Sequence, residues 1–518
     1  MQITPQLGAA AASRRSSMPH SAEELPKTPQ YSTVFITISL GILIAAGTFA
    51  RFYGIRLRAM YDEAASWNIA KLPWRSFFQA LWDFEANMGL YYLILRPWLY
   101  MGNSEVVVRG LSVLCGVATI PVLYLLGSRL FNQRVGLIAA ALLSVHAFHI
   151  RWSQEARSYA LLVLLLTWST LLLVSALQSE RARGRWAGYI LVSALACYCH
   201  LFAVFVIAAQ WLWIIIEEFP DLRPRIPGLI WQVVLIAPAG LYAALRNQGQ
   251  LDWIAPLSGS AIFELFQSWV GGAPHGYALM LLFCFYGSLC VIGAVAGLWS
   301  GPRSRRLDTA LPLLLAGVPS GAIILGSIVK PILVDRYLLP CLPALLLLVS
   351  LGIDFLLSRG RVCMWVGALA ALAVFALDAH GSLRQHHAAK PQWSGLKQMT
   401  RYVLSHQEPG DAAIFFNAEP HLAFKYYVAL TGTGQAPKIV IPDYHGATTA
   451  AQYIPSPEEI QATAAPFRRV WLILNVVTVP REWLAKEPMF RQALEADFKQ
   501  AHQYNVGWFQ VSLYTRKQ

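Results

Sequence analysis

Residues 108–160 of the chain read VRGLSVLCGVATIPVLYLLGSRLFNQRVGLIAAALLSVHAFHIRWSQEARSYA. Two apolar stretches, 108–127 and 135–150, flank a short loop that carries Arg129 and Arg134, and a polar segment follows at 152–159. A helix rises 1.5 Å per residue, so about 20 apolar residues cross the ~30 Å hydrocarbon core of a bilayer. The segment therefore predicts a membrane hairpin with arginines at one end and mixed polar residues at the other.

The same alternation of apolar spans and short loops continues along the chain. The run 187–218 is too long for one span and breaks at Cys199-His200, which predicts two spans there. Together with the opening hairpin this gives about eleven crossings. The other predicted spans are 33–52, 158–177, 187–199, 200–217, 228–245, 277–299, 310–329, 337–357 and 362–378.

Charge predicts the orientation of these spans. Every second loop is rich in arginine, and such loops remain in the cytoplasm. The opposite loops carry Asp62, Glu63, Glu155, Asp252 and Asp335. The chemically capable side chains are thus expected on the outer face. The arginines that continue the series after Arg134 are Arg181, Arg183, Arg185, Arg223, Arg225, Arg303, Arg305, Arg306, Arg359 and Arg361.

Composition supports a membrane protein and excludes several classes. The chain has 518 residues, of which 56% are hydrophobic and 13% charged, a balance typical of an integral membrane protein. The net charge of +13 comes largely from the arginine loops, so no nucleic-acid partner is expected. The seven cysteines form neither a disulfide framework nor a zinc spacing, and no metal or cofactor is expected.

Three regions follow from this pattern. Residues 1–30 are polar and rich in Pro and Ser, which predicts a disordered cytoplasmic tail. Residues 31–379 form the predicted transmembrane domain, whose first outer loop, 53–105, is expected to contain amphipathic helices lying on the membrane. The alternative, in which 89–101 crosses the membrane, would turn every later arginine loop outward.

Residues 380–518 are expected to form a small extracytoplasmic α/β domain, because helical and strand patterns alternate there. The odd number of crossings places this domain on the outer side. The predicted helices are 393–405, 420–430, 456–464 and 481–498, and the predicted strands are 412–416, 438–441, 470–475 and 508–514.

Two groups of polar residues open outer loops. Asp62 and Glu63 follow the first span, where carboxylates are costly to desolvate and often functional. The alternative is a helix start favoured by the helix dipole, and spacing alone does not separate the two. Glu155, Arg157 and Tyr159 lie in one turn between two spans, and their alternative is an interfacial ion pair.

A third group, Lys330 and 335–337, lies between later spans, with a basic residue snorkelling at a helix end as the alternative. His200 lies at an outer turn, where a packing role is the alternative. Acids and cations on one face fit transfer from an anionic, membrane-held donor. The cations would hold the phosphate, and a carboxylate would take the proton of the acceptor.

Several short motifs occur along the chain in a recognisable order. They are Tyr61-Asp62-Glu63, Leu90-Tyr91-Tyr92, GNSE at 102–105, Arg109, YLLGSRLF at 124–131, SQEARSYA at 153–160 and DRYLLP at 335–340. Together they resemble one known family, the bacterial branch of the dolichyl-phosphate-mannose–protein mannosyltransferases (glycosyltransferase family 39), to which the lipid A aminoarabinose transferases are similar. The resemblance covers roughly residues 30–350, most specifically 90–160.

The resemblance implies a GT-C membrane fold and transfer of a sugar from a polyprenyl phosphate with inversion at the anomeric carbon. It implies that Asp62 is the general base or orients the acceptor, that Glu63 supports it, and that Arg109, Arg157 and Arg336 are candidates for the donor phosphate. One departure is Asn87-Met88-Gly89, where many relatives have Lys or His followed by two prolines. The resemblance therefore does not identify the sugar or the acceptor of this protein.

The sequence thus predicts a glycosyltransferase of the bacterial inner membrane, acting on its outer face, with a polyprenyl-phosphate sugar donor and a lipid, glycan or protein acceptor. The alternatives are a lipid or glycan carrier (flippase) and a surface sensor or assembly protein. Spans with almost no charge at mid-depth, without an acid–base relay or an inverted repeat, make a carrier less favoured. The predicted site residues are Asp62 and Glu63 (catalytic), Arg109, Arg157, Lys330 and Arg336 (donor phosphate), and Glu155, Tyr159, His200 and Tyr337 (supporting).

Overall fold

A computed structural model of the chain describes residues 30–179, 182–245, 251, 254–271, 277–299, 302–387, 395–416, 418–432, 435–441, 455–475 and 485–517. The expected cytoplasmic tail therefore lies outside the described residues except for Gln30, and so do Asp252 and Arg181.

The part of the chain before the C-terminal domain is helical. The helices are α1 (Thr33–Phe52), α2 (Asp62–Lys71), α3 (Trp74–Ala80), α4 (Gly89–Trp98), α5 (Glu105–Leu130), α6 (Gln133–Val145), α7 (Ala147–Ser153), α8 (Tyr159–Leu177), α9 (Arg183–Cys199), α10 (Ala203–Glu218), α11 (Ile226–Leu245), α12 (Gly259–Trp269), α13 (Tyr277–Trp299), α14 (Arg303–Val329), α15 (Leu342–Leu357) and α16 (Arg361–His387). Short π- and 3₁₀-helical segments precede α4 at Leu81–Glu85 and Ala86–Met88, and a 3₁₀ segment, Asp335–Cys341, precedes α15.

Each predicted span coincides with helix. By length and composition, 8 helices in the described residues are able to cross a membrane, or 9 if the bent pair α6 and α7 counts as one span. Helices α9 and α10, with 17 and 16 residues, are shorter than that criterion requires and are separated at His200, where the sequence predicted a break.

The opening hairpin forms because its loop is capped and its helices touch through glycines. The side chain of Asn132 accepts a hydrogen bond from the backbone N–H of Val135 and so caps α6. A Cβ added to Gly127 of α5 would lie 2.9 Å from the backbone of Gly136 in α6. Small residues therefore let the two helix backbones approach closely, as is common in membrane bundles.

The first outer loop contains no spanning helix. Helix α4 has 10 residues and is about 15 Å long, too short to cross the hydrocarbon core. Arg96 in α4 donates to the carbonyl oxygens of Ala70 and Leu72 and packs 4.0 Å from the centre of the Trp74 ring. The segment 89–101 is therefore not among the helices long enough to cross a membrane. Exposed aromatic side chains along this loop include Trp74, Phe78 and Trp82.

The arginine loops meet at one end of the bundle. Arg134, before α6, pairs with Asp354 near the end of α15 at 3.2 Å. The backbone carbonyl of Arg129 accepts a hydrogen bond from Gln178, which follows α8. Arg225 stacks on Trp186 of α9 at 4.9 Å. This grouping agrees with the alternation on which the predicted orientation depends.

The third span contains a break that was not predicted from the sequence. Helices α6 and α7 are bent by 60° at His146, which frees the carbonyl groups of Leu143 and Ser144. The fully buried guanidinium of Arg51 in α1 donates to both carbonyls and contacts Nδ1 of His149 at 2.7 Å. Arg51 lies in the last turn of α1, where a break in the neighbouring helix exposes backbone acceptors that the buried cation satisfies.

A second buried polar contact joins two later helices. Asp378 in α16 is fully buried and accepts a hydrogen bond from the Tyr286 hydroxyl in α13 at 2.6 Å. The ring of His146, at the break, lies 6.1 Å from the Tyr286 ring. These three groups come from separate parts of the chain, so their proximity was not visible in the sequence.

Residues 395–517 form a three-layer α/β unit. Its elements are α17 (Gly395–His406), β1 (Ala412–Phe415), α18 (Ala418–Thr431), β2 (Lys438–Ile441), α19 (Pro457–Ala464), β3 (Arg469–Asn475), α20 (Glu487–Asp497), β4 (Phe498–Val506) and β5 (Phe509–Arg516). The sheet order is β2-β1-β3-β5-β4, with β1 parallel to β2 and β3, and β5 antiparallel to β3 and β4.

The predicted strands all occur within two residues of their expected bounds, but β4 was missed. Its side chains are mostly exposed and polar at an edge of the sheet, so it lacks an alternating apolar pattern. The helix expected at 481–498 is observed only as Glu487–Asp497, and 481–484 lie outside the described residues. Helices α17 and α18 share one continuous core with the bundle, while α19 and α20 pack on the other face of the sheet.

Candidate active site

Glu63 is anchored by a buried arginine. Nε of Arg109, in α5, donates to Oε1 of Glu63 at 2.7 Å, and a terminal nitrogen of Arg109 bonds Oε2 at 2.5 Å. The two residues are 1% and 4% exposed. Oε1 of Glu63 also accepts the backbone N–H of Ala156 at 2.8 Å. Glu63 therefore ties together the first outer loop, α5 and the turn before α8.

The remaining donors of Arg109 hold the chain that leads to α2. They bond the carbonyl oxygens of Ile55, Arg58 and Ala59, the last two at 3.1 and 3.4 Å. Because the N–H groups of this guanidinium already donate to these acceptors, few donors remain for a phosphate. We therefore leave Arg109 out of the phosphate site that the resemblance implies for it.

Asp62, in contrast, is exposed at the first position of α2. Consecutive residues of a helix point about 100° apart, so the burial of Glu63 directs Asp62 away from the core. Its carboxylate makes no hydrogen bond or ion pair within the described part of the chain. Its negative charge is one of the smaller causes that raise the pKa of Arg157, and it is a minor influence on Arg336 and Tyr159, so these groups lie close enough to Asp62 to interact through space.

Arg157 lies beside Tyr92 and Glu85, two residues for which the sequence predicted no role. Its guanidinium contacts the Tyr92 hydroxyl at 3.4 Å, and that hydroxyl donates to Glu85 at 3.1 Å. Burial opposes the charged form of Arg157, but the neighbouring Tyr92 and Tyr159, followed by Glu85 and Asp62, raise its pKa well above the ordinary value. Glu85 ends a π-helical segment, an irregularity frequent at functional sites.

Arg336 is framed by aromatic rings. Its Nε donates to the Tyr159 hydroxyl at 3.0 Å, and its guanidinium carbon lies 5.5 Å from the centre of the Trp152 ring and 5.6 Å from that of Tyr337. The backbone N–H of Arg336 bonds Oδ1 of Asp335 at 2.7 Å. Contacts of this kind hold a guanidinium in place while its charge stays intact.

His200 lies inside the same aromatic group. Its ring centre is 4.9 Å from that of Tyr337 and 6.0 Å from that of Tyr159. Burial lowers the pKa of His200 to about 3, and Arg157 and Arg336 add to this effect. The imidazole is therefore neutral near pH 7 and does not supply a cation.

Asn87, the departure from the family pattern, has a structural partner. Its Oδ1 accepts the backbone N–H of Leu201 at 2.9 Å, and its Nδ2 lies 3.3 Å from Nε2 of His200. Asn87 thus fastens the first outer loop to the turn between α9 and α10.

The two remaining predicted residues lie at the border of this region. Glu155 is 3.7 Å from Arg58 and 3.9 Å from Arg151. Burial raises the pKa of Glu155, and the charges of Glu63 and Asp62 act in the same direction while both arginines oppose them. Lys330 is half-buried directly after α14. Within the described residues, no group of three or more His, Cys, Asp or Glu is arranged to hold a metal ion.

Comparisons with known proteins agree with this fold. Residues 89–242 match the family model described as dolichyl-phosphate-mannose-protein mannosyltransferase. That stretch contains Arg109, Arg157 and His200 but neither Asp62 nor Arg336. A comparison with curated protein sequences found no match.

Solved structures similar to this chain are membrane glycosyltransferases. ArnT from Cupriavidus metallidurans, bound to undecaprenyl phosphate, has a TM-score of 0.63 at 13% identity, over 93% of this chain and 98% of that one. Archaeal oligosaccharyltransferase AglB from Archaeoglobus fulgidus, in complex with an inhibitory peptide and a dolichol-phosphate, has a TM-score of 0.55 at 10% identity, over 93% and 74%. Arabinofuranosyltransferase AftD from Mycobacteria has a TM-score of 0.55 at 14% identity, over 95% and 40%.

The chain therefore has the GT-C membrane fold, which confirms the fold class that the sequence predicted. Within that class, the matched segment confirms the resemblance to the dolichyl-phosphate-mannose-protein mannosyltransferase family.

Proposed function

We propose that the protein is an integral-membrane glycosyltransferase that moves a sugar from a polyprenyl phosphate to an acceptor hydroxyl, with inversion at the anomeric carbon. The acceptor is a lipid, glycan or protein of the cell envelope. The observation that carries the proposal is the contrast between adjacent acids. The carboxylate of Glu63 is occupied by hydrogen bonds from Arg109 and from the backbone N–H of Ala156. Asp62 is exposed, and its charge acts on Arg157 and Arg336.

In this scheme Asp62 is the general base. The acceptor oxygen attacks the anomeric carbon while its proton passes to the Asp62 carboxylate, and the bond from that carbon to the phosphate oxygen breaks. The lipid phosphate leaves with the bonding electron pair and needs no proton. It needs cations in place beforehand, because charge grows on the departing oxygen.

Arg157 and Arg336 are the proposed cations. Both are partly buried and each is fixed by a tyrosine hydroxyl, Tyr92 for Arg157 and Tyr159 for Arg336. Arginine holds a phosphate with two parallel hydrogen bonds, so a fixed guanidinium both binds and orients the donor. The similar ArnT structure is described as bound to undecaprenyl phosphate, which supports this class of donor for the present fold.

The proposed location is the bacterial inner membrane, with Asp62 and the C-terminal domain on the outer side. The arginine loops at the opposite end of the bundle support this orientation.

A donor screen tests the proposal. Purified protein is incubated with several polyprenyl-phosphate sugars and candidate acceptors, and release of polyprenyl phosphate is followed. We expect release with one donor class, dependent on acceptor and lost in Asp62→Asn. A carrier would instead move donor across proteoliposome membranes without releasing polyprenyl phosphate, and that result would overturn the proposal.

A further inference from the structure

We propose that Tyr427 of the C-terminal domain is a positioning residue for Asp62, holding the backbone two residues before that carboxylate in place. The inference rests on the proposed function of Asp62 and extends it to a second part of the chain.

The Tyr427 hydroxyl bridges the first outer loop and α5. It accepts the backbone N–H of Met60 at 2.9 Å and donates to Oε1 of Glu105 at 2.9 Å. Burial and the neighbouring Glu105 raise the pKa of Tyr427, so the hydroxyl keeps its proton and is able to make both bonds. Met60 is fully buried, so its N–H has no solvent to replace this acceptor.

A lysine completes the contact. Nζ of Lys397, in α17, lies 2.8 Å from Oε2 of Glu105 and 5.8 Å from the centre of the Tyr427 ring. Glu105 is 8% exposed and begins α5, the same helix that carries Arg109. The C-terminal domain and α5 are therefore linked to each other, and both bind the short segment that precedes α2.

That segment has two sets of restraints. Arg109 binds the carbonyl oxygens of Ile55, Arg58 and Ala59, and Tyr427 binds the N–H of Met60. Together they fix the backbone just before α2, whose first residue is Asp62. A general base must lie within hydrogen-bond reach of the proton that it removes, so a shift of about 1 Å costs turnover without removing donor contacts.

The neighbouring Tyr426 offers a matched control. It is also buried in α18, and its hydroxyl also donates to the membrane domain, but to the carbonyl oxygen of Asn103 at 2.8 Å. Tyr426→Phe and Tyr427→Phe each remove one buried hydroxyl from the same helix. Only the second releases the segment before Asp62.

The test measures kcat and the donor KM for both variants of the full-length protein, with the donor found by the screen. We expect Tyr427→Phe to lower kcat roughly 10- to 100-fold while the donor KM stays within about threefold. Tyr426→Phe should keep both values within about threefold. Equal kcat values for the two variants would overturn the inference, and so would a Tyr427→Phe variant that changes only KM.

If Tyr427→Phe does not fold, Glu105→Gln and Glu105→Leu replace it. The glutamine oxygen still accepts the Tyr427 proton, so Glu105→Gln should keep most of kcat and Glu105→Leu should not. Similar kcat values for both would contradict the inference. Failure of the inference leaves the wild type active, whereas failure of the proposed function leaves it without transferase activity on any donor.

Discussion

Glu63 and Arg109 form a two-point ion pair that is almost completely buried, and the residue next to Glu63 is exposed. The pair fixes α2 against α5 and thereby decides which of two adjacent carboxylates faces solvent. One acid is thus structural, and the other is available for chemistry.

The first prediction separates the two acids. Asp62→Asn should preserve folding and donor binding but lower kcat about 10²- to 10⁴-fold, the usual contribution of a positioned general base. The change is nearly isosteric at an exposed position, so stability should hardly change. Rates of polyprenyl phosphate release and thermal unfolding in detergent measure the two effects. Wild-type turnover in this variant would contradict the assignment, and Glu155 would then be the next acid to test.

Glu63→Gln is the paired control. It leaves Arg109 buried without its counter-charge, a change that typically costs about 3–5 kcal/mol. We therefore expect a clearly lower unfolding temperature, with activity lost in proportion to the unfolded fraction. An unchanged unfolding temperature together with abolished turnover would mean that the base is Glu63.

The second prediction concerns the donor phosphate. Arg336→Ala should raise the donor KM more than Lys330→Ala, because arginine binds a phosphate with two hydrogen bonds and is held here by Tyr159. Arg336→Lys should fall between them. Donor titrations of the three variants provide the comparison. Negligible effects of all three changes would assign the phosphate to Arg157 alone.

The third prediction is a pH dependence of stability. The pKa of His200 is about 3 in the folded chain, below its ordinary value of 6.5, so below pH 6.5 only the unfolded chain binds this proton. As the pH is lowered below 6.5, this residue should therefore reduce the free energy of unfolding by about 1.4 kcal/mol per pH unit. The loss between pH 6.5 and 5 should be about 2 kcal/mol.

His200→Gln should lack this contribution, whereas the exposed His502→Gln should retain it. Thermal unfolding at pH 7.5 and 5.0 compares the three proteins. If wild type and His200→Gln lose the same stability between pH 7.5 and 5.0, protonation of the His200 imidazole does not destabilise the folded chain, and the prediction is wrong.

The fourth prediction tests orientation. A reporter fused after Arg305 should lie in the cytoplasm and one fused after Asp411 outside, because arginine loops remain inside. Alkaline phosphatase, active only outside, and a cytoplasm-dependent fluorescent protein give opposite signals at each site. The same side for both fusions would overturn the arrangement of spans and the outward placement of Asp62.

Tertiary contacts decided the roles that the sequence left open. The sequence did not distinguish the two first-loop acids, and the structure shows Glu63 bound by Arg109 while Asp62 is exposed, which supports the role that we propose for Asp62. Arg109 and Arg157 looked equivalent as arginines near the outer face, yet one is fully engaged by carbonyls and Glu63 while the other contacts Tyr92 and Glu85. No role was predicted for Glu85 or for Tyr92, although Tyr92 belongs to a segment on which the family resemblance depends.

The sequence by itself determined the spans, the helical character of the first outer loop and most of the C-terminal domain. These features follow from local properties, namely the length of an apolar run, the position of arginines and the period of apolar residues. The tertiary structure alone decided the break at His146, its buried Arg51 and the partners of the site residues. Those contacts join residues far apart, 46 positions for Glu63 and Arg109 and 367 for Met60 and Tyr427, and no local pattern encodes which distant donor reaches a given acceptor.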